Sequence, residues 1–256
     1  MHKKFFEDIE RGSKSGIIKK KIISHYITNG DATIADIAKV FDLSVPTMTK
    51  LIVELCEDGF VVDYGKIETN GGRRPNIYGL NPASGYFIGV DMKNTSVNIG
   101  LINFKGEIVK LDMNIPIIIE NTQESLDNLC DIITDFIKRS SVDKDKILNI
   151  QLNISGRVNP QTGYSYSIYY FDERPLTEVM SNRLQCSVSI DNDTRAMTYG
   201  EYMTGNYSDN KDLLFINISW GLAVGIIIDG KLYYGKSGFS GEYGHASVFD
   251  NEIMCH

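Results

Sequence analysis

The chain has no apolar run long enough to span a bilayer, and its lysine-containing start lacks the apolar core of a signal peptide. No membrane role is expected, and the cytoplasm is the default compartment. Cysteine is scarce: Cys56, Cys130, Cys186 and Cys255 lie far apart and form no CxxC pair, which argues against a disulfide framework. Low-complexity segments and short-period repeats are missing too. There is no overall excess of positive charge either, since the formal net charge is −7. Divided along the chain, the balance changes. Residues 1–80 hold 12 Lys+Arg against 11 Asp+Glu, and residues 81–256 hold 14 against 22. An acidic body repels nucleic acid, so any contact with it belongs to the near-neutral head. The 256 residues, 42% apolar and 23% charged, suffice for more than one domain of a soluble α/β protein.

The stretch Thr33 to Asp58, TIADIAKVFDLSVPTMTKLIVELCED, organises the head. Thr33 is placed to cap a helix, with Asp36 completing a variant capping box. Ile34, Ile37, Ala38 and Phe41 then share one face. The chain turns at Asp42-Leu43. Ser44 caps a second helix, and Pro46 is tolerated because the first turn has no intrahelical use for its missing N–H. Val45, Met48, Leu51, Ile52 and Leu55 make the apolar stripe of that helix. Its other face carries Pro46, Thr47, Lys50 and Glu54. A short helix with a small, polar, singly cationic leading edge suits a DNA major groove, with Ser44, Pro46, Thr47, Thr49 and Lys50 as candidate contacts. On spacing alone, any small helical hairpin also fits.

Before it, a helix is expected from Ser13 to Thr28, with Ile18, Ile22 and Tyr26 as its ridge, flanked by Ile17, Ile23 and Ile27. Lys19, Lys20 and Lys21 form either a solvated face or a phosphate-contacting cluster. After Asp58-Gly59, residues 60–64 and 76–80 read as two strands of a wing. Its tip, Gly71-Gly72-Arg73-Arg74-Pro75, is either a plain hairpin tip or a device that places Arg73 and Arg74 in a minor groove or on phosphates. Asn81 to Gly85 marks a boundary. Beyond it, strands are expected over 86–92, 96–103 and 107–115, a helix over 122–139, and a strand over 147–154. A helix within 173–184, a strand over 187–191 and a helix over 194–203 follow. Strands over 213–219 and 224–228 turn at Asp229-Gly230 into residues 231–234. The division is thus 1–81 and 82–256, with a first lobe at about 86–204 and a second from about 205.

The winged helix, the GGRRP loop and the α/β segment FIGVDMKNTSVNIGLINFKGEIV together resemble the ROK family (repressors, open reading frames, kinases). The likeness continues through IDNDTRAMTYGE and ends at GKSGFSGEYGH. It implies an N-terminal winged helix-turn-helix plus an actin-like (ribonuclease H-like) ATPase fold, here with its second lobe incomplete. The head points to the regulator branch: a DNA-binding transcriptional regulator of carbohydrate genes that responds to a bound sugar. The alternative is a ROK-type sugar kinase acting on a hexose or N-acetylhexosamine with ATP.

Against the family's D-x-G-G-T phosphate loop stands Asp91-Met92-Lys93-Asn94-Thr95, without either glycine. Against G-T-G-x-G-G-G stands Ser219-Trp220-Gly221-Leu222-Ala223-Val224-Gly225. Bulk where a bare backbone should meet phosphate predicts weak or no ATP binding, and no enzyme activity. The sugar side is better kept. Asn192 and Asp193 match the family's N-D pair, whose Asp is the kinase base. Here it serves as a hydroxyl acceptor, or equally as a helix N-cap. Glu242 and His245 match G-E-x-G-H, and Ser155-Gly156-Arg157 lies near the family's sugar. Of the family's one-His, three-Cys zinc set, only His245 and Cys255 are matched, with His256 as a further donor. No tight zinc is expected in this chain, though a longer form could hold one. The implied partners are double-stranded DNA, a sugar or sugar derivative, and a second copy in a homodimer or higher homo-oligomer.

Overall fold

The computed structural model describes residues 5, 9, 11–66, 75–205, 211–219 and 221–245. The chain divides into two compact units, 1–86 with 102–108, and 87–101 with 109–256.

The first unit begins with helix α1 (Lys14–Asn29), capped by Ser13, whose hydroxyl accepts the Gly16 N–H at 3.0 Å. A two-residue strand β1 (Ala32–Thr33) leads into α2 (Ile34–Val40). The Thr33 hydroxyl accepts the Asp36 N–H at 3.2 Å and donates to the Asp36 carboxylate at 2.7 Å, so the capping box forms as the spacing predicts. Asp42 turns with φ 51°, and Ser44 caps α3 (Val45–Glu57), accepting the Thr47 N–H at 3.3 Å. Strands β2 (Val61–Lys66) and β3 (Asn76–Leu80) make the wing. They join β1 in an antiparallel sheet of order β1-β3-β2. The third strand escapes sequence reading because two residues carry no alternation. The wing tip, with Arg73 and Arg74, lies outside the described residues.

Ile22, Ile37, Met48, Ile52 and Leu55 are fully buried, with Tyr26, Phe60 and Leu80 in the same cluster. Three expectations need correction. Val45 is 50% exposed, because at the first position of its helix it precedes the face the core covers. Ile17 and Ile27 are exposed, being off the Ile22–Tyr26 ridge. Lys19 is buried rather than displayed: its ammonium meets Glu54 at 2.9 Å and Asp58 at 3.3 Å. Burial alone lowers the Lys19 pKa, but the two carboxylates outweigh it and raise it. This triad pins α1 to α3 and removes both Lys19 and Glu54 from any DNA-facing role. Lys20 and Lys21 stay exposed.

The second unit is built on a five-stranded sheet. Strands β4 (Tyr86–Met92), β5 (Ser96–Asn103) and β6 (Ile108–Pro116) follow one another. Helix α4 (Gln123–Ser140), capped by Thr122, buries Leu126, Leu129, Ile133, Phe136 and Ile137, the stripe its 3.6-residue period predicts. Then come β7 (Ile147–Ile154), the short hairpin β8 (Val158–Asn159) and β9 (Tyr164–Ser165), and α5 (Leu176–Leu184). Strand β10 (Val188–Asn192) pairs parallel with β7 and runs directly into α6 (Asp193–Thr204). The sheet order is β10-β7-β4-β5-β6. A second, antiparallel sheet holds β11 (Leu213–Ile218), β12 (Leu222–Ile228) and β13 (Lys231–Leu232). The β8–β9 hairpin was not expected; each strand has two residues, below the length at which a pattern shows.

The turn between β5 and β6 belongs to the first unit. Phe104 packs on Phe60 with ring centroids 5.5 Å apart, and Lys105 pairs with Asp31 at 2.9 Å while lying 4.6 Å over the Tyr64 ring. An aromatic side chain at a hairpin tip has no place in water, and the head core supplies one.

Candidate functional site

In the head, the caps fix the orientation of α3. Met48, Leu51, Ile52 and Leu55 turn inward, which leaves Pro46, Thr47 and Lys50 exposed on the opposite face. Two of the sequence-named residues are partly committed elsewhere. The Ser44 hydroxyl caps the helix and lies 2.8 Å from the Thr47 hydroxyl, and the Thr49 hydroxyl donates to the Val45 carbonyl at 2.8 Å. The freest group on the leading edge is therefore the Lys50 ammonium, with the exposed Thr47 hydroxyl shared with Ser44. Such an edge is small enough to enter a groove, and its one cation can meet a phosphate or a guanine edge.

In the second unit, the β10–α6 junction gathers the other candidates. Asn192, rather than Asp193, is the N-cap: its Oδ1 accepts the Arg195 N–H at 3.1 Å and its Nδ2 donates to the Gly156 carbonyl at 3.1 Å. Asp193 is the first helical residue, half-buried, accepting the Thr194 N–H at 2.7 Å and bonded to Ser155. Burial pushes its carboxyl above the ordinary range; the bonds from Thr194 and Ser155 pull it back, and Asp91 adds to the rise. The sign follows. A folded pKa raised above the unfolded one means the ionised form is disfavoured by folding, so this group's contribution to stability falls as pH rises through the folded value. Asp193→Asn should leave the melting temperature at pH 7 unchanged or higher, with the difference shrinking as pH falls toward 4. A variant that melts lower at pH 7 and converges only at high pH would reverse the assignment.

Glu242 sits in the segment 241–244, which runs against β12. The Gly241 carbonyl accepts the Val224 N–H at 2.8 Å. Gly241 has φ 87°, and a Cβ there would overlap the Val224 carbonyl oxygen; at Gly244 it would come 2.6 Å from that of Leu222. Both glycines are thus required by backbone approach. The backbone of His245 closes a short 3-10 turn, Tyr243–His245, while its side chain, Trp220, Cys255 and His256 lie outside the described residues. Among the described residues, no three His, Cys, Asp or Glu side chains are gathered closely enough to hold a metal ion.

Sequence reading missed the centre of this site. Arg195 is 2% exposed, and its guanidinium is fully engaged. Nε donates to Asp191 at 2.6 Å, one terminal nitrogen to the Gly238 carbonyl at 2.8 Å, and the other to the Val158 carbonyl at 3.4 Å. Its plane lies 5.4 Å over the Tyr234 ring, and the Tyr234 hydroxyl donates to the other Asp191 oxygen at 3.2 Å. Burial and Asp191 push that phenol up to about 12, so it remains a donor. One side chain therefore ties the β10–α6 junction to the start of β8 and to the loop at 236–239. Asp191 ends a strand and Arg195 opens a helix, so no periodicity in the sequence pointed to the pair.

Of the two glycines retained in the second phosphate-loop position, Gly225 has a structural reason. A Cβ there would overlap the Thr198 hydroxyl of α6, so the residue serves helix–sheet packing. The first loop, 91–95, closes tightly, with the Lys93 N–H donating to the Ser96 carbonyl at 2.8 Å.

The ROK family profile matches residues 87–256, and a winged helix-turn-helix DNA-binding profile matches residues 17–62. The chain is 31% identical over 241 residues to the xylose repressor of Caldicellulosiruptor bescii, covering 93% of this chain and 58% of the relative. It thus spans about three fifths of the length of the curated relatives it matches. A solved ROK family transcriptional regulator, a homologue of the Escherichia coli MLC protein, superposes with TM-score 0.69 at 23% identity, over 88% of this chain and 57% of that one. A ROK family glucokinase from Streptomyces griseus, solved with glucose and AMPPNP, aligns with TM-score 0.53 at 25% identity, over 64% and 51%. The fold is thus the mixed α/β, actin-like kinase fold preceded by a winged helix-turn-helix. No helix among the described residues is long and apolar enough to cross a membrane.

Proposed function

The chain belongs to the ROK family, and from its winged helix-turn-helix we propose that it acts in the cytoplasm as a sugar-responsive transcriptional repressor of carbohydrate genes. The observation that carries this reading is helix α3, capped by Ser44, its apolar side buried and Thr47 and Lys50 left exposed on the opposite edge. Repressor relatives support it. In this reading α3 enters the major groove, Arg73 and Arg74 of the wing tip take the minor groove or its phosphates, and a homodimer reads two half-sites. A sugar binds near Asn192, Asp193, Glu242 and His245, the residues the family resemblance supplies. It changes operator affinity only to the extent that it binds the two head states unequally.

The test is a gel shift with the cognate promoter at several salt concentrations. Replacing Arg73 and Arg74 by alanine should weaken binding and lower the salt slope by about one per lost phosphate contact. Lys50→Ala should cost about 1–3 kcal/mol if it reads a base. Unchanged shifts in both variants would remove the head from the function.

Asp193 favours a second reading. A half-buried carboxyl with a raised pKa is the equipment of a general base for a sugar hydroxyl, so a kinase with an appended head is the rival. The glycine-poor loops weigh against it, since Gly225 is accounted for by Thr198 and the 91–95 loop holds no glycine. ATP-dependent phosphorylation of any sugar, abolished by Asp193→Asn, would establish the rival.

A further inference from the structure

The wing does not take its direction from its own ladder alone. Asp63 of β2 stands opposite Tyr78 of β3, and Gly65 opposite Ile77. Tyr64 is therefore an extra residue, the bulge of its strand. A bulge bends the strand and re-aims whatever lies beyond it. Beyond it here the sequence runs on to Arg73 and Arg74. Two side chains of the wing itself hold the bulge. The Asp63 carboxylate accepts the Gly65 N–H at 2.8 Å and the Asn76 amide at 2.6 Å. The Tyr64 hydroxyl donates to the carbonyl of Leu80, the last residue of β3, at 2.7 Å.

A third side chain comes from far along the chain. The Lys105 ammonium lies 4.6 Å over the Tyr64 ring and pairs with Asp31 at 2.9 Å. The negative face of the ring attracts the cation. Asp31 is itself seated against β3, since a Cβ at Gly79 would overlap its carboxylate. Lys105 thus joins the bulged residue of one wing strand to the flank of the other.

The turn that carries Lys105 is stiff enough for this task. Buried Asn103 closes it: its side-chain oxygen accepts the Lys105 and Glu107 N–H groups at 3.0 Å each, and its amide donates to the Glu107 carboxylate at 2.7 Å. Gly106 supplies the left-handed residue, with φ 87°. Phe104 anchors the turn, its N–H donating to the Pro82 carbonyl at 3.4 Å and its ring packed on Phe60, which is 1% exposed.

We infer that Lys105 is a positioning residue for DNA binding: held by Asp31 and by the Phe104 anchor, it fixes the bulge at Tyr64 and so the direction of the wing arm. This rests on the DNA-reading role proposed above. Lys105 acts through Tyr64 and does not itself touch the duplex.

Gel shifts of the full chain on the cognate promoter, over a range of salt, test it with Lys105→Met, Lys105→Arg and Asp31→Asn. Lys105→Met keeps most of the stem and removes the charge. It should weaken binding about tenfold and lower the salt slope by about one for each phosphate contact the wing loses. Its melting temperature should barely move, because a partly exposed ion pair adds little to stability. Lys105→Arg retains both the charge and the stacking on Tyr64, and should restore affinity and slope. Asp31→Asn separates positioning from direct contact. A lysine that only positions the wing loses its hold, so binding should weaken as in Lys105→Met. A lysine that meets phosphate itself would be freed, and tighter binding in Asp31→Asn would overturn the inference. Unchanged affinity and slope in Lys105→Met, with the parent bound, would also overturn it and leave the DNA-reading role standing. No shift by the parent at any salt overturns both.

Discussion

Arg195→Ala lowers the stability of the larger unit by about 3–5 kcal/mol, the range for removing one partner of a buried ion pair. The mechanism is local. Asp191 loses its 2.6 Å partner while its side chain stays largely buried, and the Val158 and Gly238 carbonyls lose a donor. The unmet acceptors make up part of that loss, each at about 1–3 kcal/mol of desolvation cost. Lysine should not restore stability, because a single ammonium cannot reach three acceptors in one plane. Urea unfolding followed by far-ultraviolet circular dichroism reads the loss. Arg195→Ala should also weaken effector binding, because Arg195 anchors the β10–α6 junction that carries Asn192 and Asp193. A loss below about 1 kcal/mol would mean that the surrounding chain satisfies Asp191 in another way.

Ile52→Ala costs about 2–5 kcal/mol in the head, the range for truncating a buried aliphatic to alanine. Ile52 is fully buried between the elements that orient α3, and it cannot touch DNA. Operator binding should nevertheless fall with the folded fraction. Lys50→Ala is the complement: exposed, it should leave the thermal melt by circular dichroism within about 0.5 kcal/mol of the parent while weakening the gel shift. If Ile52→Ala melts like the parent, α3 is not held by its apolar stripe.

Much of this was legible before any coordinates. The caps at Thr33 and Ser44 both form, because a hydroxyl ahead of an apolar period has a ready local use. The α4 stripe and strand β7, Ile147–Ile154, stand where their periods put them. What failed depended on long-range partners. Lys19 looks like one of three equivalent lysines until Glu54 and Asp58, more than thirty residues away, claim it. Val45 fits the stripe by spacing but starts its helix outside the covered face. Arg195 reads as one polar residue among several in DNDTRAM, and only the carbonyls of Val158 and Gly238 reveal its work. Gly225 looks like the remnant of a phosphate cradle until Thr198 explains it.

The hairpin tip at 102–108 has a practical corollary for anyone exchanging heads between regulators. A chimaera spliced at residue 86 takes Phe60, Asp31 and Tyr64 from one parent but Phe104 and Lys105 from the other. Unless the graft carries that tip along with it, the transplanted head meets a foreign plug in its own interior.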